Sequence, residues 1–243
     1  MKFEIYYTLQ EAKKILRWLI ILELILVAFY VVTNIVLIDL PLGSIRKIFD
    51  LNQDLSIPAW FSSVQLFIVS LLLYIAYSSN QRKLELPSSF LLLGILFFVF
   101  LSIDEGAAIH EKITIAARKL DLNWLMFDGN SGAWIAVYSF LGLVGGLVTF
   151  RYFRLLWKHF RHETQIALAG AFLFVMGAVG FEVISYLFLQ SGSTLHKVEV
   201  IFEELFEMSG ISIILYAVLL LIKSISFSDS TPTDAKSLEG THL

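Results

Sequence analysis

Asp104, Glu105, His110 and Glu111 close the stretch Ser102-Ile103-Asp104-Glu105-Gly106-Ala107-Ala108-Ile109-His110-Glu111, where an apolar run fit for lipid ends in three carboxylates and an imidazole. His196, Glu199, Glu203, Glu204 and Glu207 open another apolar run, and Glu182 interrupts a third. Against these acids the same segments offer only Lys112 and Lys197 as cations, so salt bridges cannot neutralise them. A carboxylate in a low dielectric must be paired, protonated or metal-bound, and neighbouring carboxylates resist ionising together. Divalent ions, shared protons, or both are therefore expected. Asp104, His110, Glu111, Glu182, His196, Glu203 and Glu207 form the candidate metal-ligand set, with Glu111, Glu182 and Glu203 as candidate catalytic groups. Carboxylates joined by imidazoles suit a divalent ion such as iron, manganese, zinc or calcium. The chain has no cysteine, which excludes thiol nucleophiles, iron–sulfur clusters and Cys-rich zinc sites. The plainer alternative is a solvated rim of acids at helix ends. The helix dipole would explain Glu199 and Glu105 well, but Glu182 and Glu207 poorly, since both lie within apolar sequence.

The elements that must position these groups are membrane helices. Of 243 residues, 57% are hydrophobic and only 16% charged, outside the range of soluble domains. The sequence predicts an all-α, polytopic transmembrane bundle with the lipid bilayer as its main partner. Six stretches reach the ~20 apolar residues of a crossing: Ile15 to Ile38, Ala59 to Tyr77, Phe90 to Ile109, Ala133 to Leu155, Ile166 to Leu189 and Val200 to Ile222. Residues 1–226 form one domain, and the Ser-, Thr-, Asp- and Pro-rich stretch 227–243 reads as a disordered cytoplasmic tail. Of the 18 Lys and Arg residues, those on the face shared by the termini outnumber Arg46, Lys47, Lys112, Arg118, Lys119 and Lys197 opposite, so both termini are expected in the cytoplasm. A net charge of −3 gives no basic field for nucleic acid. Nothing in the sequence sets the oligomeric state.

A rise of ~1.5 Å per residue places Asp104, Glu182, Glu203 and Glu207 at one depth, near the outer edge of the hydrocarbon. On unbroken helices, Asp104 and Glu111 share one stripe, His196, Glu203 and Glu207 share another, and His110 lies about 100° from Glu111. Glu23 and Asn34 interrupt the first crossing, with Glu23 in its inner half as a helix–helix hydrogen-bond group or a protonated acid. Gly142, Gly145 and Gly146 on the fourth crossing, and Gly170, Gly177 and Gly180 on the fifth, are expected to admit neighbouring helices. Lys112 to Trp134 is too polar to span and is expected on the outer surface as a partly helical lid. Within it, Asp128-Gly129-Asn130-Ser131-Gly132 marks a turn. His159 and His162 sit among four cations, a poor place for a metal.

Phe49-Asp50-Leu51, Ile57-Pro58-Ala59-Trp60-Phe61-Ser62-Ser63 and the Asp104-Glu105, His110-Glu111 pairs together resemble a group of uncharacterised bacterial multipass membrane proteins. The resemblance covers roughly the first half of the chain and implies a bacterial inner-membrane placement, with no activity attached. Other membrane enzymes fit badly. His110-Glu111 lacks the second His of a zinc protease helix, and Met208 stands where the paired-glutamate motif of prenyl-protein proteases expects Arg. The leading expectation is a metal-dependent membrane enzyme acting on a lipid or other apolar substrate. The competing ones are a proton or divalent-cation transporter or channel, with Glu23 as a second station, and a non-catalytic assembly subunit.

Overall fold

The computed structural model describes residues 7–79, 88–127 and 131–227. Thr8 starts the first helix, α1 (Leu9–Tyr30), through a reciprocal cap: its hydroxyl accepts from the Glu11 amide at 3.2 Å, and the Glu11 carboxylate accepts from the Thr8 amide at 2.6 Å. A π-helical turn, Val31–Val36, carries the same span onward. The short α2 (Gly43–Ile48) precedes α3 (Ile57–Ser79) and α4 (Ser88–Ala107). The amphipathic α5 (Ile109–Lys119) buries Thr114 and Ala117 and leads to α6 (Ala133–His159). Next come α7 (Arg161–Val175), a second π-helical turn (Met176–Phe181) and α8 (Glu182–Phe188), which together make one span, and then α9 (Thr194–Phe227).

Among the described residues, six helical runs are long and apolar enough to cross a membrane: Leu9–Val36, Ile57–Ser78, Ser89–Ala107, Ala133–His159, Arg161–Phe188 and Thr194–Ile225. The protein is therefore an all-α, multipass membrane protein, and among the described residues an isolated bridge between Phe127 and Ser131 is the one β-type pairing. The expected partly helical surface segment is present as α5 and a 3₁₀ turn, Asn123–Leu125, although Trp134 is buried rather than laid on the surface. The connection bearing Arg82, Lys83 and Pro87, the residues Asp128 to Asn130 of the expected turn, and all of the expected tail after Phe227 lie outside the described residues.

The central element is α9, about 51 Å long at ~1.5 Å per residue and packed by α1, α3, α7 and α8. Its Ile211, Leu215, Val218 and Ile222 meet Leu66, Val69 and Ala76 of α3 and Ala12 of α1 in the main core. A smaller core of Leu26, Tyr30, Leu51, Val200 and Met208 closes the acid-bearing end. By contrast α6 exposes Phe140, Leu141, Leu143, Leu147, Val148 and Phe150, as a helix facing lipid does.

The glycines separate in the same way. A Cβ on Gly170 would come 2.7 Å from the Gly210 carbonyl, and one on Gly177 would come 2.7 Å from the Glu203 carbonyl, so α9 lies directly against these backbones. The close approach expected at Gly142, Gly145 and Gly146 is not found: a Cβ there meets nothing within 4 Å, because α6 turns that face outward.

Arg46, which the sequence offers only as a loop cation, holds the end of the first span. Its guanidinium donates to the carbonyls of Thr33 (3.1 Å), Leu37 (3.2 Å), Ile38 (2.8 Å) and Leu40 (3.2 Å), where the helix stops and its last carbonyls lose their regular intrahelical partners. Lysine lacks the planar fork that reaches several carbonyls at once. Arg46→Ala is expected to cost ~1–3 kcal/mol, concentrated in residues 33–42, and hydrogen exchange of those amides checks it. Arg46→Lys is expected to recover only a minor part of the lost protection.

Candidate functional site

The acidic motif is shaped by a break in the helix. Ala108 takes a left-handed conformation (φ 50°, ψ 49°), ending α4 and starting α5. Such a conformation costs a non-glycine residue ~1–2 kcal/mol, and Asp104 offsets it. Its buried carboxylate accepts the His110 amide at 2.8 Å and lies 3.3 Å from His110 Nδ1, so one oxygen caps α5 and orients the imidazole. Behind it Ser63 and Ser102 lock α3 to α4: the Ser63 hydroxyl donates to the Ser102 carbonyl at 2.7 Å, and the Ser102 hydroxyl donates to the Ser63 carbonyl at 2.9 Å. The stripe expected from an unbroken helix is thereby overturned. His110, not Glu111, is the residue brought to Asp104, and Glu111 is exposed.

Burial by itself lowers the His110 imidazole, but the hydrogen bond it donates to Asp104 and the charges of Asp104, Glu105 and Asp54 outweigh it, so His110 stands above its ordinary 6.5. A group raised on folding contributes stability that is complete below its ordinary value and disappears as pH climbs through the raised one. The His110 imidazole resonances are therefore expected to titrate above 6.5, and Asp104→Asn is expected to bring the midpoint down. An unchanged midpoint would show that the pair is not the cause.

Around this pair the acids of separate spans face one another. The second π-turn ends at Glu182, whose Oε1 accepts the Tyr186 hydroxyl. Glu203 on α9 lies in the electrostatic field of Glu182, Glu207 and Glu204. Glu207 lies in that of Glu204, Glu105, Glu182 and Asp104. Glu204 has Glu105, Asp54 and Glu182 as its acidic neighbours. Gly177 permits this approach, since any side chain there would strike Glu207 Cγ and the backbone of α9. The cations do not answer: Lys112 Nζ donates to the Ala107 carbonyl and Lys197 Nζ to the Asn34 carbonyl at 3.2 Å.

Glu199 departs furthest from the solvated-rim reading. It is 7% exposed, and both carboxylate oxygens are buried without a hydrogen-bond partner among the described residues, facing Ser185 and Glu203. Two buried oxygens beside further acids, with His196 Nδ1 4.0 Å from Oε2, fit a carboxyl partnered by a proton or a metal ion. No group of three or more His, Asp or Glu side chains among the described residues is gathered closely enough to hold a metal as it stands. His196 is set apart, 4.0 Å from Glu199 and lining a cleft of about 160 Å³ with Tyr30, Asn34, Asp50, Asn52 and Lys197.

Sequence reasoning passed over Asp54, which joins the fields of Glu105, His110, Glu111 and Glu204 from the loop before α3. Only its place next to the Ile57-Pro58 helix start hinted at it. Gln65, Ser209 and Ser212 were missed as well. They are the partners of Glu23, and neutral polar residues give no charge signal.

No curated protein and no solved structure matches the chain. A family model does match, over residues 18–222, which takes in every residue of the cluster and all but the outermost turns of the bundle. The chain belongs to that family, described as a domain of unknown function, DUF8692.

Proposed function

We propose that this membrane protein takes up a positive species, protons or a divalent cation, in the carboxyl cluster, and moves it as a transporter or channel does. One observation carries the reading: carboxyls of three spans, on α4, α8 and α9, lie in one another's fields while Lys112 and Lys197 are engaged elsewhere. Acids inside a membrane bundle without countercharges belong to ion and proton pathways more often than to scaffolds. The excess of Lys and Arg on the opposite face supports both termini in the cytoplasm of a bacterial inner membrane, with the cluster facing outward. The test is cation- or proton-driven flux in liposomes. Flux is expected in the parent and at least tenfold less in Glu182→Gln and Glu207→Gln; equal flux in parent and variants removes the transport reading.

A metal-dependent enzyme acting on a lipid or apolar substrate is the second reading, favoured by the Asp104–His110 pair. A carboxylate that fixes an imidazole is the usual outer support of a metal ligand. His110, Glu111, Glu182, Glu203 and Glu207 would hold the ion, with Asp104 orienting the His110 imidazole and His196 set apart beside Glu199. The ion would polarise a substrate carbonyl or activate water. Stoichiometric iron, manganese, zinc or calcium in the detergent-purified protein supports this reading, and metal-free protein with an unchanged melting temperature after chelation excludes it.

A further inference from the structure

Glu23 forms a second polar centre, away from the cluster. It lies midway along the first span, ~21 Å from Leu9, and is fully enclosed where α1, α3 and α9 meet. Its Oε1 accepts from the Ser212 hydroxyl at 2.5 Å and from Gln65 Nε2 at 3.2 Å, and its Oε2 accepts from the Ser209 hydroxyl at 2.7 Å. Gln65 Nε2 also donates to the Ser212 oxygen at 2.8 Å. All these partners are neutral. Of titratable groups on the helices packed here, Glu203, Glu204 and Glu207 lie six, five and two residues before Ser209 on α9, and Tyr216 lies four beyond Ser212. On α1, Tyr30 is two turns away and Arg17 is exposed, and α3 brings none within two turns of Gln65.

An ionised carboxylate enclosed at this depth without a countercharge is costly, and three neutral donors relieve only part of that. The partner atoms already touch at hydrogen-bond distance, so a metal ion would have to spread them, whereas a proton takes no room. Gln65 supplies a further indication. Its Oε1 is buried without a partner among the described residues while its Nε2 serves two acceptors, and Ser62 Oγ, one turn away on the same helix, is likewise unpaired. An unused carbonyl beside a carboxyl is an acceptor waiting for an O–H. A half-turn about the terminal amide torsion, which has no steep barrier, exchanges the two atoms and sets that carbonyl about 3.2 Å from Glu23 Oε1.

We propose that Glu23 is a proton-binding site in the middle of the membrane, and that Gln65 reads its occupancy by turning its NH₂ to the carboxylate and its carbonyl to the acid. The site stands whether the carboxyl cluster carries protons, divalent ions or a reaction. Infrared spectra of the full chain in phosphatidylcholine vesicles at neutral pH test it. A non-hydrated carboxylic C=O band present in the parent is expected to be missing in Glu23→Gln, and Gln65→Leu is expected to keep that band and shift it to higher frequency. Identical carbonyl regions in parent and Glu23→Gln overturn the proton assignment, and an unmoved band in Gln65→Leu overturns the role of the amide. If Glu23→Gln cannot be purified, the Gln65→Leu shift decides alone. Cation response of the cluster is read separately and is expected to survive Glu23→Gln, so the two proposals fail independently.

Discussion

Gly210→Ala is expected to be among the most damaging single-methyl additions in this protein, while the same change at Gly145 is harmless. A Cβ on Gly210 would stand 2.5 Å from the Phe174 nitrogen, 2.8 Å from the Gly170 carbonyl and 2.9 Å from the Phe174 Cα. Each obstacle is backbone of α7, which cannot swing aside as a side-chain tip can, so α7 and α9 must separate along their length. Overpacking costs ~1–3 kcal/mol where side chains can yield, and the upper part of that range is expected here. At Gly145 nothing lies within 4 Å, and the better helix propensity of alanine favours it by ~0.5–1 kcal/mol. The measurement is thermal or denaturant unfolding of the two variants in one detergent. Similar stabilities would mean that α7 and α9 are not in backbone contact.

The contrast also marks what the sequence could and could not convey. Both groups of glycines sit in apolar helices at spacings that allow close packing. In water a polar face would reveal which side points outward, but in lipid the outward side is as apolar as the core, so Gly142 to Gly146 and Gly170 to Gly177 read alike. The six spans were legible because a bilayer demands some 20 apolar residues and few other constraints produce them. The expectation of a common depth for the acids rested on the same counting. The fine geometry did not. Ala108 is a good helix former, and nothing in its type announces a left-handed turn; only Asp104, four residues earlier and able to cap α5, accounts for it. The π-turns before Leu37 and Glu182 were equally silent, since an extra residue in a helical turn leaves no mark on an apolar stretch. Glu23 was visible as an anomaly, yet its partners Gln65, Ser209 and Ser212 come from α3 and α9 and became evident only when the helices were assembled.

Joint replacement of Glu182 and Glu207 by glutamine is expected to make the cation-free protein more stable and to abolish its response to cations. Glutamine keeps the shape of both side chains: at position 182 an amide oxygen still accepts the Tyr186 hydroxyl, and at position 207 the same methylenes lie against Gly177. What is removed is the capacity of two groups to ionise beside Glu203, Glu204 and Glu105, with no lysine or arginine among their described partners. Replacing enclosed ionic groups by neutral ones of similar volume gains ~1–4 kcal/mol in favourable cases, and relief of like-charge repulsion predicts that sign here. The parent behaves oppositely. If a divalent ion is the species bound, adding it at a hundred times its dissociation constant stabilises the parent by ~2.7 kcal/mol, and the double variant by almost nothing. Unfolding midpoints of both proteins, with and without manganese, zinc or calcium, separate the possibilities. A parent that gains from one ion while the variant does not assigns the cluster to that ion, and a parent indifferent to all of them leaves protons as the species it carries. A variant less stable than the parent in metal-free buffer would mean that these carboxyls are satisfied in place, and would remove the physical basis for a missing positive partner.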